Sequence, residues 1–365
     1  MIPLFKVYIN PDIDQELLKV IHSGWIGQGP KVKEFEAKLG KRFSNPNVLA
    51  LSAGTHGLSL ALRLAGVGPG DEVITTPLTC TATNTPILQQ LAKPVWADIK
   101  DDFNIDPASI DARITEQTKA IMVMHWGGYP CDMEEIAKIA ARFDIPIIED
   151  AAHAYGSTYK GSHIGRCNYS HYTMMSFQAI KHLTCVDGGA LFTRSVRDCD
   201  RGRLLRWYGI DRESPRTDFR CEADIKEWGY KFHMNDVCAT VGIENMKDVE
   251  ANISWTKSIA KRYDRELSKV PGVKITQNAD DRTSSYWLYT IQVDNRSEFI
   301  NMMTREGISV SRVHERNDKH TFTKDFRNIL PNLDRIIEKQ ICIPVGWWLE
   351  EEDVDHIIET IKKGW

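Results

Sequence analysis

The 365-residue chain has no surplus of basic charge: 46 Lys and Arg stand against 50 Asp and Glu, a net charge of -4. Without a basic block or stripe, neither nucleic acid nor an anionic membrane surface is an expected partner. No apolar run approaches the roughly 20 residues that cross a bilayer. The opening stretch, Met1 to Lys6, lacks the charged region and long apolar region of a secretion signal. The eight cysteines form no CxxC pair and no metal-like Cys/His spacing. The expectation is therefore reduced thiols in a cytoplasmic protein, with no metal site.

What is present is apolar and periodic. Apolar residues make up 42% of the chain, enough for a large core, and the length suits one large domain plus a smaller one. Strand-like runs at Val48–Leu51, Glu72–Thr76, Lys93–Asp98, Ala120–His125, Ile145–Asp150 and Tyr172–Phe177 alternate with helical patterns. That alternation predicts an α/β fold with a mainly parallel sheet covered by helices. Ligands in such sheets sit beyond the carboxyl ends of the strands. Thr55, Cys80, His125, Asp150 and Lys181 all lie at or just past such ends. Further on, Asp236–Val270 predicts one long helix broken near Ile253. Tyr286–Val293 alternates like a strand exposed on one side, Val310–Val313 reads as a short strand, and Val354–Ile361 as the last helix. These make a small α+β domain, so the expected division is 1–244 and 245–365.

Two chemically matched groups stand out. Asp150 ends an apolar run, and Lys181 follows a later one and precedes the pair Gly188-Gly189. Alone, Asp150 is an ordinary strand-end carboxylate and Lys181 an ordinary surface lysine. Together they suit pyridoxal phosphate (PLP). The lysine forms a Schiff base, and the carboxylate keeps the pyridine nitrogen protonated so that the ring can act as an electron sink. The Ser52–Gly57 turn adds a weaker signal. Small residues between a strand and a helix expose backbone N–H groups at the positive end of the helix dipole, where phosphate binds.

The segments Glu149–Ala154 and Ser176-Phe177…Lys181…Asp187-Gly188-Gly189, in that order, resemble the DegT/DnrJ/EryC1/StrS family of PLP-dependent sugar aminotransferases. Asp187 stands where the family usually has Glu. The resemblance spans nearly the whole chain, from Trp25…Gly29-Pro30…Val32…Phe35-Glu36 to the closing Ile341–Pro344 and its acidic helix. It implies the fold type I architecture of aspartate aminotransferase. It also implies that Gly54, Thr55 and Ser176 hold the PLP phosphate, that His153 contacts the ring or its phenolic oxygen, and that Cys80 occupies the place of a ring-stacking aromatic. A thiol has no broad stacking face. Lys231 and His233 stand where the family reaches the phosphate of the neighbouring subunit, which implies a homodimer with shared active sites. Trp25, His125, Arg312, His314 and Lys319 are implied on the substrate side, the last three in a cationic segment suited to a diphosphate. That segment, Ser311–His320, departs from the family's common PLH string.

The implied reaction moves an amino group from L-glutamate to a keto sugar, most commonly a nucleotide-linked 4-keto-6-deoxy hexose, for amino-sugar and polysaccharide or lipopolysaccharide synthesis. Lys181 would act both as Schiff-base partner and as general acid and base. Two alternatives are a PLP-dependent sugar dehydratase and an idle protein of the same fold that only binds a sugar nucleotide. The dehydratase branch replaces the lysine with histidine, so Lys181 argues against it. The intact Asp150 and Lys181 pair argues against the idle protein.

Overall fold

The computed structural model describes residues 1–213, 224–276 and 278–365. Residues 214–223, part of the Leu204–Lys231 connector, lie outside the described residues. Nine strands belong to the first two hundred residues: β1 Val48–Leu51, β2 Glu72–Thr75, β3 Lys93–Trp96, β4 Thr118–Met124, β5 Ile147–Asp150, the short β6 Thr158–Tyr159 and β7 Ser162–His163, β8 Tyr172–Ser176 and β9 Gly189–Thr193. Seven of them form one sheet in the order β1-β9-β8-β5-β4-β2-β3. Every neighbouring pair is parallel except those of β9, which runs antiparallel to both β1 and β8.

Both faces of this sheet are covered, which is why β1, β5 and β9 are buried along their whole length. On one face, Phe35 and Phe43 of α2 (Pro30–Phe43) and Ile136 of α6 (Met133–Ala141) pack with Ile121, Val123 and Ile147. On the other, Leu58 and Leu62 of α3 (Gly54–Leu64) and Leu205 of α7 (Val196–Leu205) pack with Met122, Ile148 and Met174. Consecutive residues of one strand serve opposite faces, as the period of two requires. The expected α/β class with a mainly parallel mixed sheet is what the chain adopts.

The C-terminal part builds a second core. Strands β10 Val273–Ile275, β12 Tyr289–Val293 and β13 Gln340–Ile343 form an antiparallel sheet, with β12 in the centre. Ile259 and Tyr263 of α9 (Val249–Leu267), Phe299 and Ile357 pack on it. A ribbon of β11 Arg282–Thr283 with β6 and β7 ties the two parts together.

Three local expectations change. The long helix breaks earlier than Ile253: α8 ends at Asn245 and α9 begins at Val249. Polar contacts cause the break. Asn245 donates to the Thr184 carbonyl and accepts from the Asn10 amide, while Tyr8 and Asn10 both donate to Asp248. Tyr286 to Leu288 do not extend β12, because Tyr286 turns at φ 54° and Trp287 and Leu288 join a different apolar cluster. β12 is also covered on both faces, with Gln292 buried and Thr290 half-buried on the side expected to be exposed. Val310–Val313 is no strand beyond one bridge, Ser311 to Cys342, since Val313 at φ 66° leaves extended geometry. No helix among the described residues is long and apolar enough to cross a membrane.

Candidate active site

The carboxyl ends of β1, β5 and β8 and the N-termini of α3 and α4 (Thr81–Gln89) meet at one edge of the large sheet. β5 carries Asp150 as its last residue, 3% exposed. Thr83 of α4 donates to Asp150 Oδ2 at 2.7 Å, and the Ala152 amide donates to Oδ1 at 3.0 Å. Thr79 stands behind, hydroxyl to hydroxyl with Thr83 at 2.6 Å. Burial raises the Asp150 pKa, while the Thr83 hydroxyl, the Ala152 amide and the charge of Lys181 pull it down.

Lys181 sits in the loop after β8. Burial lowers its pKa to about 7, against the upward pull of Asp150 and Cys80. A half-buried lysine whose amine is half neutral near pH 7 is ready to act as a nucleophile. Its Nζ lies 3.5 Å from the ring centre of Trp287. Trp287 in turn stacks on His153 at 3.7 Å, and His314 lies parallel to His153 at 5.8 Å. The edges of Trp126 meet both histidines. Burial pushes the pKa of His153 well down and that of His314 to about 4, with the Lys181 charge adding to both. His153 Nδ1 and His314 Nε2 are buried without a hydrogen-bond partner. Two neutral rings with a free nitrogen, beside a reactive amine, are what a polar ligand would complete.

A second feature adjoins the lysine loop. Gly54 and Thr55 are the first residues of α3, and the N-cap Ala53 offers no side-chain cap. The first amides of a helix have no partner within it, so this end attracts an anion. The backbone here is packed too tightly for side chains. A Cβ on Gly54 would stand 3.0 Å from Met174 Sδ and 3.2 Å from Ser176 Oγ, and one on Gly189 would stand 2.6 Å from the Gly54 nitrogen. Bare helix amides and the Ser176 hydroxyl, brought together by glycines that let the chain segments approach closely, make a cradle of phosphate type. This cradle, the unpartnered His153 nitrogen and the Asp150–Lys181 pair fit pyridoxal phosphate.

Other predicted residues fall elsewhere. Cys80 is the half-buried N-cap of α4 and stands in the field of Lys181. His125 is corrected: it is fully buried, its Nε2 pairs with Glu149 at 2.8 Å, and its Nδ1 accepts from the Cys131 amide at 3.1 Å. Neither ring nitrogen is left for a substrate, so His125 is a core histidine. Trp25 is 62% exposed and lines a cavity of about 520 Å³ with Gln28, Arg203 and Trp207, away from the Lys181 group. Arg312 is paired with Glu315 at 2.7 Å, and Lys319 is exposed on a short turn. His233 bridges to Leu51 and packs edge-on to Trp207 at 4.0 Å, and Phe232 accepts from the Ser52 amide at 2.8 Å. Burial takes the His233 pKa to about 4, helped by the nearby Arg212, Lys231 and Arg206, so the ring is neutral. Lys231 is exposed.

Sequence reasoning missed Thr83, Trp126 and Trp287. No local pattern marks them, because each reaches the site through a contact far along the chain.

Comparison with known proteins gives the family. The profile of the DegT/DnrJ/EryC1/StrS aminotransferase family matches residues 7–362. The chain is 40% identical to the crystallised sugar aminotransferase CalS13 of Micromonospora echinospora, with all of both chains covered and a TM-score of 0.95. It is 29% identical to the PLP form of Spr1654 of Streptococcus pneumoniae, covering 99% of this chain and 98% of that one, with a TM-score of 0.91. The spore coat polysaccharide biosynthesis protein SpsC of Bacillus subtilis is 33% identical over 99% of this chain and 96% of its own length.

Proposed function

The chain belongs to the DegT/DnrJ/EryC1/StrS aminotransferase family, and from that premise we propose that it transfers an amino group from L-glutamate to a keto sugar, a nucleotide-linked 4-keto-6-deoxy hexose. It is a PLP-dependent transaminase with the fold type I architecture. The sugar acceptor is supported by the likeness to CalS13, and a role in polysaccharide synthesis by the likeness to SpsC. The observation that carries the proposal is the buried Lys181 amine beside Asp150 at the mouth of the phosphate cradle.

When bound, PLP supplies the electron sink that lets the C–H bond next to an amino group ionise. The residues of this chain do the rest. Gly54, Thr55 and Ser176 hold the phosphate. Asp150, kept in place by Thr83 and Ala152, holds a proton on the ring nitrogen. His153 offers Nδ1 to the phenolic oxygen. Lys181, about half neutral near pH 7, takes the proton from the donor carbon and returns it to the carbon two atoms along. His314 offers Nε2 to the sugar. In this proposal the enzyme works as a homodimer, with Lys231 or His233 reaching the partner's phosphate. A cytoplasmic location and a C-terminal domain from residue 245 complete it. No observation favours a dehydratase, since Lys181 is in place.

The test is direct. The yellow colour of the loaded protein should bleach with L-glutamate, with 2-oxoglutarate appearing, and should return when a nucleotide-linked 4-keto sugar is added. Bleaching that no keto sugar reverses would remove the sugar acceptor and leave the aminotransferase.

A further inference from the structure

Trp287 has no part in the scheme above, yet it touches the reactive lysine by two routes. Its indole face lies 3.5 Å from Lys181 Nζ. Its Nε1–H donates at 2.8 Å to the carbonyl of Ile180, the peptide unit that leads into the lysine. Among the described residues Lys181 forms no ion pair, so Asp150 acts on the amine through its field and the indole acts by contact. Two further rings pack on the indole. It stacks on His153 at 3.7 Å and on Phe5 at 5.1 Å. Phe5 belongs to the N-terminal arm, which is fastened by the indole N–H groups of Trp347 and Trp348 on the carbonyls of Lys6 and Pro3. The residue before Trp287, Tyr286, stands at φ 54°, a conformation that bulky residues rarely adopt. A backbone held in that region and pinned by neighbours points to a function for the side chain it directs.

We propose that Trp287 is a positioning residue of this aminotransferase, holding the free Lys181 amine by its π-face and the lysine's backbone through Ile180, with Phe5 stacked on it. A lysine has a flexible four-carbon stem. When its amine must take a proton at one atom and return it at another, a fixed resting place shortens the search. An aromatic face suits the task because it attracts the ammonium form without a formal charge. The other groups facing the amine leave this role open. Asp150 and Cys80 favour the cation from a distance, and His153, His182 and His314 are all driven neutral by burial. The inference rests on Lys181 being the reactive amine and not on which acceptor is used.

The test uses the full-length protein freed of cofactor. Lys181 is acetylated in competition with a free amine across a pH series, and its peptide is read by mass spectrometry. Trp287→Leu keeps apolar bulk but loses the face, so the inflection should fall by about one unit below the wild-type value. Trp287→Phe keeps a face and should stay within about 0.3 units. An unchanged or raised inflection in Trp287→Leu overturns the proposal. In the loaded enzyme, Trp287→Phe loses the Ile180 bond. Its single-turnover rate with L-glutamate should drop roughly tenfold with the donor KM unchanged. Phe5→Ala, which touches neither contact of the indole, should drop the rate roughly threefold. These two variants carry the test if Trp287→Leu fails to fold, and wild-type rates in both would sink the idea. If the wild type exchanged no amino group, the catalytic scheme would fail while the acetylation series still decided the role of Trp287.

Discussion

Glu149 and Asp150 are consecutive on β5, and each is 3% exposed. Strand alternation sends them to opposite faces. Glu149 is fully engaged: His125, Ser170 and Thr173 all bond to it. Burial pushes its pKa up, but those hydrogen bonds outweigh burial and hold it below the usual range. Asp150 has fewer partners, its pKa is raised, and it faces an amine that it does not touch. One carboxylate is finished by the protein. The other is left with capacity for something else. The difference teaches that burial of a charge says little about its task, whereas the number of partners says a good deal.

Substitutions can break or sharpen that contrast. Lys181→Ala removes the group that Asp150 serves, and turnover should fall by roughly 10³-fold or more with loss of the yellow colour. Full activity in that variant would refute the site. Asp150→Asn should lower turnover by roughly 10²- to 10⁴-fold while the cofactor-free protein melts near the wild-type temperature. Glu149→Ala should do the reverse. Urea unfolding should show a loss of about 1–3 kcal/mol from the buried His125 donor left without its acceptor, with kcat per folded molecule within about threefold of wild type. A catalytic loss in Glu149→Ala as large as in Asp150→Asn would erase the distinction.

The pH dependence of stability should separate Lys181 and Glu149 by pH window. Folded Lys181 loses its proton near pH 7, whereas an unfolded lysine keeps it to about 10.4. Between those values the unfolded chain binds the extra proton, so this lysine makes stability rise with pH. Lys181→Met, free of cofactor, should show a smaller gain in Tm between about pH 7.5 and 9.5 than the wild type. Glu149 has the same sign in a more acidic window, since its folded pKa also lies below its unfolded value. Its stabilisation is present above the unfolded carboxylate range and lost as pH falls through the folded value. Glu149→Gln should therefore flatten the acid limb of the Tm curve. The smallest effect belongs to Thr83→Val, which takes one hydrogen bond from Asp150. A loss of about 1 kcal/mol, roughly fivefold in kcat/KM, is expected.

Much of this site was legible in order and spacing. Asp150, Lys181 and the Gly54 turn sit at strand ends that periodicity locates, and their chemistry is explicit in the residue types. His125 shows where that logic fails. It occupies a strand end like the others, but its ring turns to the Glu149 side of the sheet, and no pattern within β4 tells which partner lies there. Trp287 was read as one residue of an alternating strand. A φ of 54° at Tyr286 takes it out of the strand and into contact with a lysine more than a hundred residues away. The break between α8 and α9 was misplaced because the polar groups that cause it belong to Tyr8 and Asn10.

By itself the sequence determined the order of strands and helices, the parallel character of the sheet and the residue types available at its carboxyl edge. These follow from local periodicity, which a short window of chain contains. Only the tertiary structure decided which edge residues share a site, that burial lowers the pKa of Lys181 there, and that a tryptophan lies against its amine. Those properties depend on burial and on contacts between distant segments, and a charge or a ring acquires its environment only when the chain has closed around it.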